Sequence, residues 1–267
     1  MRQFLLIPLC TILLFCKGNN KLIDKSQAVS YETQIVNYQS DSLLVGIQEK
    51  IYNAFTIGMM TKSSEALNKL GSELEQVYKE KSHNIILYWR SYLQFYASIF
   101  YLHTGDKVSA EKEIDKGIEW LDKMERKNSE DYALLALLQS FGMQFKGMKA
   151  MFIAEKVKQN AEAAIDIDST NLRAYYVLGN NDYYTPEKYG GGKVTEKYLL
   201  KAISLPEQKI SNVYLPSWGK EEAYEMLIKF YIKKEKWELA KKYFQEGINL
   251  FPKSYTINQL ASKLINK

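Results

Sequence analysis

The sequence predicts an all-α chain, a solenoid of antiparallel helix pairs ending in a C-terminal capping helix. Three observations carry that expectation. Apolar residues recur at spacings of three and four along residues 41–265, with only short breaks between the runs. Glycine and proline, at 14 and 5 in 267 residues, are too few for the many turns of a β-protein. Small residues stand inside the helical runs, notably Ala240 and Gly247, where one helix must approach another closely.

Taken in order, the chain opens with MRQFLLIPLCTILLFCKGNN: one basic residue, Arg2, an apolar run from Phe4 to Phe15, then polar residues. That is the layout of a secretory signal peptide, assigned to residues 1–18, and the run is shorter than the roughly 20 apolar residues a spanning helix needs. Two processing routes fit. Cys16 and Gly18 supply small residues ahead of a cut before Asn19, whereas Leu13-Leu14-Phe15-Cys16 resembles a bacterial lipobox and makes Cys16 a lipidation candidate. Phe15 departs from the small residue usual at that place. Both cysteines, Cys10 and Cys16, lie in this segment, so the expected mature chain has neither a disulfide nor a thiol nucleophile. The expected destination is the periplasm or the outer membrane of a bacterial envelope. Residues 19–39 are polar and aperiodic and read as a flexible leader.

Helical periodicity then predicts helices at 41–58, 62–80, 84–103, 106–126, 129–147, 149–166, 171–184, 192–204, 219–234, 236–250 and 255–265. Ser63, Asn84, Asp106, Ser129 and Thr170 stand where helix N-termini favour short polar side chains. Breaks fall at Gly105, Pro186 with its following glycines, Pro206, Pro216 and Pro252. The segment 85–102 is strongly apolar and aromatic, but Arg90 and Gln94 would be costly in lipid. A helix buried on most of its faces accounts for it better.

The last full pair carries a family resemblance. In 221–252, Tyr224, Leu227, Ile228 and Tyr231 are followed after a short turn by Trp237, Ala240, Phe244, Gly247 and Pro252. This is similar to the tetratricopeptide (TPR) consensus, with Ile228 where a small residue is usual. Ala97, Ser98, Tyr101, Gly105, Ala110, Ile114 and Gly117 keep the same spacings earlier, and Leu178-Gly179 with Thr195, Leu199 and Ala202 do so later. The resemblance implies a right-handed superhelical solenoid over 41–265 whose first helices line a concave face. Between Gly179 and Thr195 the register slips by four residues, which makes the turn YYTPEKYGGGK longer than a TPR turn. The signal segment, the YGGG turn and the all-helical body also resemble the T-component of bacterial TRAP transporters.

Chemistry is scarce. The formal charge of +5 falls to about +3 once Arg2 and Lys17 are removed, and with no basic block it leaves no nucleic-acid footprint. His83 and His103 are isolated, HExxH and GxSxG are absent, and no metal or cofactor is implied. Gly190, Gly191, Gly192 and Lys193 do not make a phosphate loop, because Glu187 occupies the first glycine position and Val194 follows the lysine. Glycine N–H groups opening a helix still suit an anion, while the plainer reading is a tight return of the chain.

The sequence therefore points to a non-enzymatic interaction or scaffold module that grips another envelope protein or a peptide, with membrane contact only through a lipid anchor. The alternative is a periplasmic solute-binding accessory protein that encloses a small ligand near 176–218. Candidate contact residues are Tyr176, Asn180, Tyr183, Tyr224 and Lys229 by helical face. Tyr189, Gly190, Gly191, Gly192, Lys193 and Trp218 join them from the turns, where amphipathic rings suit interfaces, or else serve to pack the two long loops onto each other.

Overall fold

The computed structural model describes residues 42–208, 211–265 and 267. The expected signal segment, Cys16 and the 19–39 leader lie outside the described residues. Ten helices form five antiparallel pairs: α1 (Ile47–Thr61) with α2 (Glu65–Lys81), α3 (Asn84–His103) with α4 (Lys107–Lys123), α5 (Ser129–Gly142) with α6 (Ala150–Ile167), α7 (Leu172–Tyr184) with α8 (Thr195–Ser204), and α9 (Lys220–Lys233) with α10 (Trp237–Leu250). The capping helix expected over 255–265 is two short turns instead, α11 (Tyr255–Asn258) and α12 (Ala261–Leu264). Ile257, Leu260 and Leu264 of this cap are buried.

Helix α3 explains the apolar run at 85–102. It packs against α1, α2, α4 and α5, so Ile86, Tyr88, Trp89, Leu93 and Phe100 are all buried. Arg90 is accommodated by stacking, its guanidinium 4.2 Å from the Trp120 ring centroid and 5.1 Å from that of Tyr78. No described helix is long and apolar enough to cross a membrane.

Small residues set the spacing between helices. A Cβ at Gly179 would meet Leu199 Cδ2 at 2.8 Å, one at Gly117 would meet Leu138 Cδ2 at 2.8 Å, and Ala240 is fully buried. Helix starts are capped by neighbours of some of the expected residues. Asp106 accepts from Ser109 N at 2.9 Å as expected. Asn128, not Ser129, caps α5 in a capping box with Asp131, which frees the Ser129 hydroxyl to donate to Ala164 O at 2.8 Å. Asn171, not Thr170, caps α7, and its side-chain amide donates to Ser129 Oγ at 2.8 Å. These caps hold α5, α6 and α7 together at one edge.

The connection from α8 to α9, described at residues 205–208 and 211–219, is the feature that most shapes the molecule. It runs back across the first helices toward the start of the solenoid. Gly46 N donates to Val213 O at 3.1 Å, Ser217 N to Gln48 Oε1 at 2.8 Å, and Trp89 Nε1 to Tyr214 O at 3.0 Å. The fourth connection thereby straps onto the first two helix pairs.

Candidate functional site

The strap covers the N-terminal halves of the first helices and is anchored by Trp218. That side chain, expected at the wall of a binding site, is 4% exposed, and its Nε1 donates to Tyr88 Oη at 2.8 Å. Its ring stacks on Tyr92 at 6.0 Å and meets Tyr176 edge-on at 6.3 Å. Beside it, the buried Arg173 makes a bidentate pair with Glu130, at 2.5 and 2.6 Å. Arg173 Nη1 also donates to Trp218 O at 3.0 Å and to Glu207 O at 3.1 Å. Trp218 therefore belongs to the interior of the strap, a role that turn composition could not reveal.

Alongside the strap the same helices carry a cluster of tyrosines and charged side chains. Tyr52 of α1 meets Tyr96 of α3 edge-on at 6.2 Å, and Tyr96 meets Tyr92 at 5.2 Å with their hydroxyls 3.5 Å apart. Helix α7 contributes Tyr176, Asn180, Tyr183 and Tyr184, with the last two rings edge to face at 5.0 Å. Helix α9 adds Glu222, Glu225, Lys229 and Lys233. Lys229 pairs with Glu225, and Lys233 Nζ lies 5.1 Å from the Tyr183 ring. Burial, and next the Glu222 carboxylate, push the Tyr96 and Tyr176 phenols up. Glu222 itself rises to about 7 because burial penalises its charge more than the Gly219 N–H offsets. Together these residues make an inner tyrosine pouch, with Glu222 beside the strap at Gly219 and with Lys229 and Lys233 further along α9.

Of the residues expected at a site, the structure brings together Tyr176, Asn180, Tyr183 and Lys229 on the α7 and α9 faces. It separates Tyr224, which packs with Ile228, Ile257 and Leu260 and against Phe251 at 6.3 Å, within the C-terminal cap. Tyr52, Tyr96, Glu222 and Glu225 complete the pouch and were not singled out from sequence. Glu222 and Glu225 could have been found, since they stand seven and four positions before Lys229 on one helix face.

The glycine turn does something other than present free amides. Gly192 N donates to Asp182 O at 3.0 Å, Gly191 N to Pro186 O at 3.3 Å and Gly190 N to Glu187 O at 2.9 Å. The start of α8 already holds an anion of its own: Asp182 Oδ2 accepts from Val194 N, Thr195 N and Thr195 Oγ1 at 2.9, 2.8 and 2.7 Å. Gly190 and Gly192 take φ of 93° and 77°, and a Cβ at Gly191 would sit 1.9 Å from Thr185 O. The geometry is that of a tight return. Tyr189 and Lys193 remain exposed on its surface.

On the outer side, a cleft of about 830 Å³ lies between α6, α7 and α8, where Tyr175 and Tyr198 face each other at 6.4 Å. Among the described residues, no cluster of three or more His, Cys, Asp or Glu is placed to hold a metal ion.

Two solved structures show what this architecture resembles. The thermophilic TPR protein TTC0263 of Thermus thermophilus matches with a TM-score of 0.53 and 15% identity, covering 80% of this chain and 99% of its own. The fold is that of a TPR protein. The HusA haemophore of Porphyromonas gingivalis matches with a TM-score of 0.51 and 17% identity, over 73% of this chain and 96% of its own. At such identities the likeness speaks for the TPR fold alone. No family model and no curated protein matches the sequence.

Proposed function

We propose that this TPR-fold chain is an exported, non-catalytic binding module whose pouch takes a short segment of another envelope protein. The observation that carries this reading is the strap. It lies across the starts of the first helices, held at Gly46, Gln48 and Trp89, so a long extended peptide cannot run the length of the inner face. A short loop or chain terminus would meet the half-buried Tyr96, Asn180 and Tyr183. Rigid, amphipathic tyrosines with few rotatable bonds are the side chains that bind such segments at low entropic cost. Glu222 and Glu225 favour a segment carrying a basic residue.

The test is selection of short peptides from a random display library against the mature protein, followed by binding of the winners to Tyr96→Ala and Tyr183→Ala. Each substitution should weaken them by at least roughly tenfold, as for the loss of a buried aromatic anchor. Peptides that bind both variants as tightly as the parent would place the site elsewhere.

A second reading puts a small planar ligand in the same pouch. What favours it is the shared fold with a haemophore and the density of rings around Tyr96 and Tyr176. Titration with free haem, read by absorbance, separates the two. Saturable binding lost in Tyr176→Ala would favour the small ligand.

A further inference from the structure

Because the helices alternate in direction, every turn that follows a first helix lies on one edge of the solenoid, and every turn that follows a second helix lies on the other. The two edges differ in chemistry. The first edge consists of the turns 62–64, 104–106, 143–149, 185–194 and 234–236, which hold seven lysines against three carboxylates. The opposite turns, 82–83, 124–128, 168–171, 205–208 with 211–219, and 251–254, hold three lysines or arginines against three carboxylates among the described residues. Two of the carboxylates on the first edge are engaged within it: Asp106 caps α4, and Glu187 pairs with Lys234 at 3.0 Å. Lys146 and Lys236 are likewise tied to acids on neighbouring helices. Lys62, Lys149, Lys188 and Lys193 are exposed.

The same edge carries apolar side chains that nothing in the fold covers. Met148, Met151 and Phe152 are 96%, 68% and 70% exposed at the turn into α6. Val108 stands at the preceding turn and Tyr184 and Tyr189 at the following one, all exposed. These groups stand out as separate spurs from three consecutive turns, with lysines between them. A docking surface for a folded protein gathers its apolar groups into one core inside a polar rim. Separate apolar spurs spaced by lysines, with tyrosines at their flank, suit the boundary between headgroups and acyl chains of a lipid layer.

We propose that this edge docks on an anionic lipid surface, with Met148, Met151 and Phe152 entering the acyl boundary and the lysines meeting headgroup phosphates.

Full-length protein and two variants, Met148→Ser/Met151→Ser/Phe152→Ser and Lys149→Glu/Lys188→Glu/Lys193→Glu, are floated with phosphatidylglycerol vesicles and with phosphatidylcholine vesicles. All three share the same N-terminus, so the apolar run 4–15 contributes equally and the differences report the edge. The changes are at exposed positions, and unchanged melting confirms that the variants fold. Lysines near an anionic surface each strengthen binding by about fivefold, so the lysine variant should lose roughly a hundredfold on phosphatidylglycerol and nothing on phosphatidylcholine. The apolar variant should lose at least roughly tenfold on phosphatidylglycerol. If either variant matches the parent on phosphatidylglycerol, the proposal fails. Loss confined to the lysine variant would mark the edge as a site for acidic polymers, an acidic protein included.

Discussion

Replacing Trp218 by alanine removes the peg that holds the strap across the first helices. Its side chain is 4% exposed, touches Tyr88, Tyr92, Tyr176 and Arg173, and donates one hydrogen bond to Tyr88 Oη at 2.8 Å. Truncating a buried tryptophan costs about 3–5 kcal/mol when the cavity cannot collapse. Collapse is hindered here, because Tyr88 and Tyr92 are fixed on α3 and Arg173 is fixed by Glu130. For a chain of this size about 2–4 °C of melting temperature is lost per kcal/mol, so Trp218→Ala should melt about 10 °C below the parent. Trp218→Phe separates the hydrogen bond from the ring. It keeps the stacking, loses the Nε1 donor, and should fall by only about 1 kcal/mol, or 2–4 °C. Circular dichroism at 222 nm gives the melts, and hydrogen exchange at Gly46 and Ser217 reads the strap directly. Faster exchange at these two amides in Trp218→Ala, with helical signal retained at low temperature, is the expected pattern. A melting point within about 2 °C of the parent would show that the strap is held by its backbone contacts alone and that the tryptophan is incidental.

Other perturbations test separate parts of the molecule. Ala240→Leu adds methylenes where α10 meets α9, at a fully buried position, and should destabilise by about 1–3 kcal/mol in a thermal melt; an unchanged midpoint would contradict the close approach of that pair. Asp182→Ala removes three hydrogen bonds from the start of α8 and should cost about 1–2 kcal/mol, like the loss of a strong cap, while Asp182→Asn should recover part of it. Glu222 has its folded pKa raised to about 7, so the folded state holds the proton more tightly than the unfolded chain. Stability from this group is therefore present in full below the ordinary carboxylate range and is lost as pH rises through 7. Glu222→Gln should flatten the pH dependence between about 4.5 and 7, and at pH 8 should melt no lower than the parent, with a gain of about 1–2 kcal/mol after allowing for the solvent that reaches this carboxyl. A steeper dependence in the variant would refute the assignment.

The pairs themselves were legible because a helix announces its buried stripe every three or four residues, and because Ala240, Gly117 and Gly179 mark contact points that only a small side chain fits. Pouch residues were half legible: Tyr176, Asn180, Tyr183 and Lys229 share a helical face that register alone can assign. Tyr224 fails that test because its register suits two faces, and the cap formed by Ile257 and Leu260 claims it. The strap escaped altogether. Residues 205–219 have the composition of an ordinary loop, and no local pattern says that Trp218 will seat beside Tyr88, 130 positions away in sequence. The glycine turn misled for a related reason. An anion site requires that amides be unused, and the carboxylate that uses those of Val194 and Thr195 comes from Asp182, twelve positions before Val194, at the end of the preceding helix.

Helical arrays commonly lengthen or shorten by whole units, since each unit touches only its neighbours and a duplication leaves every existing contact intact. Here a single connection must reach from the fourth pair back to Gly46, Gln48 and Trp89, a span that one inserted or deleted pair would change by a full repeat. The count of units is thereby locked. Such a molecule should vary over evolutionary time in its turns and surfaces while its number of pairs stays fixed, and its two ends should unfold together where an open array would fray.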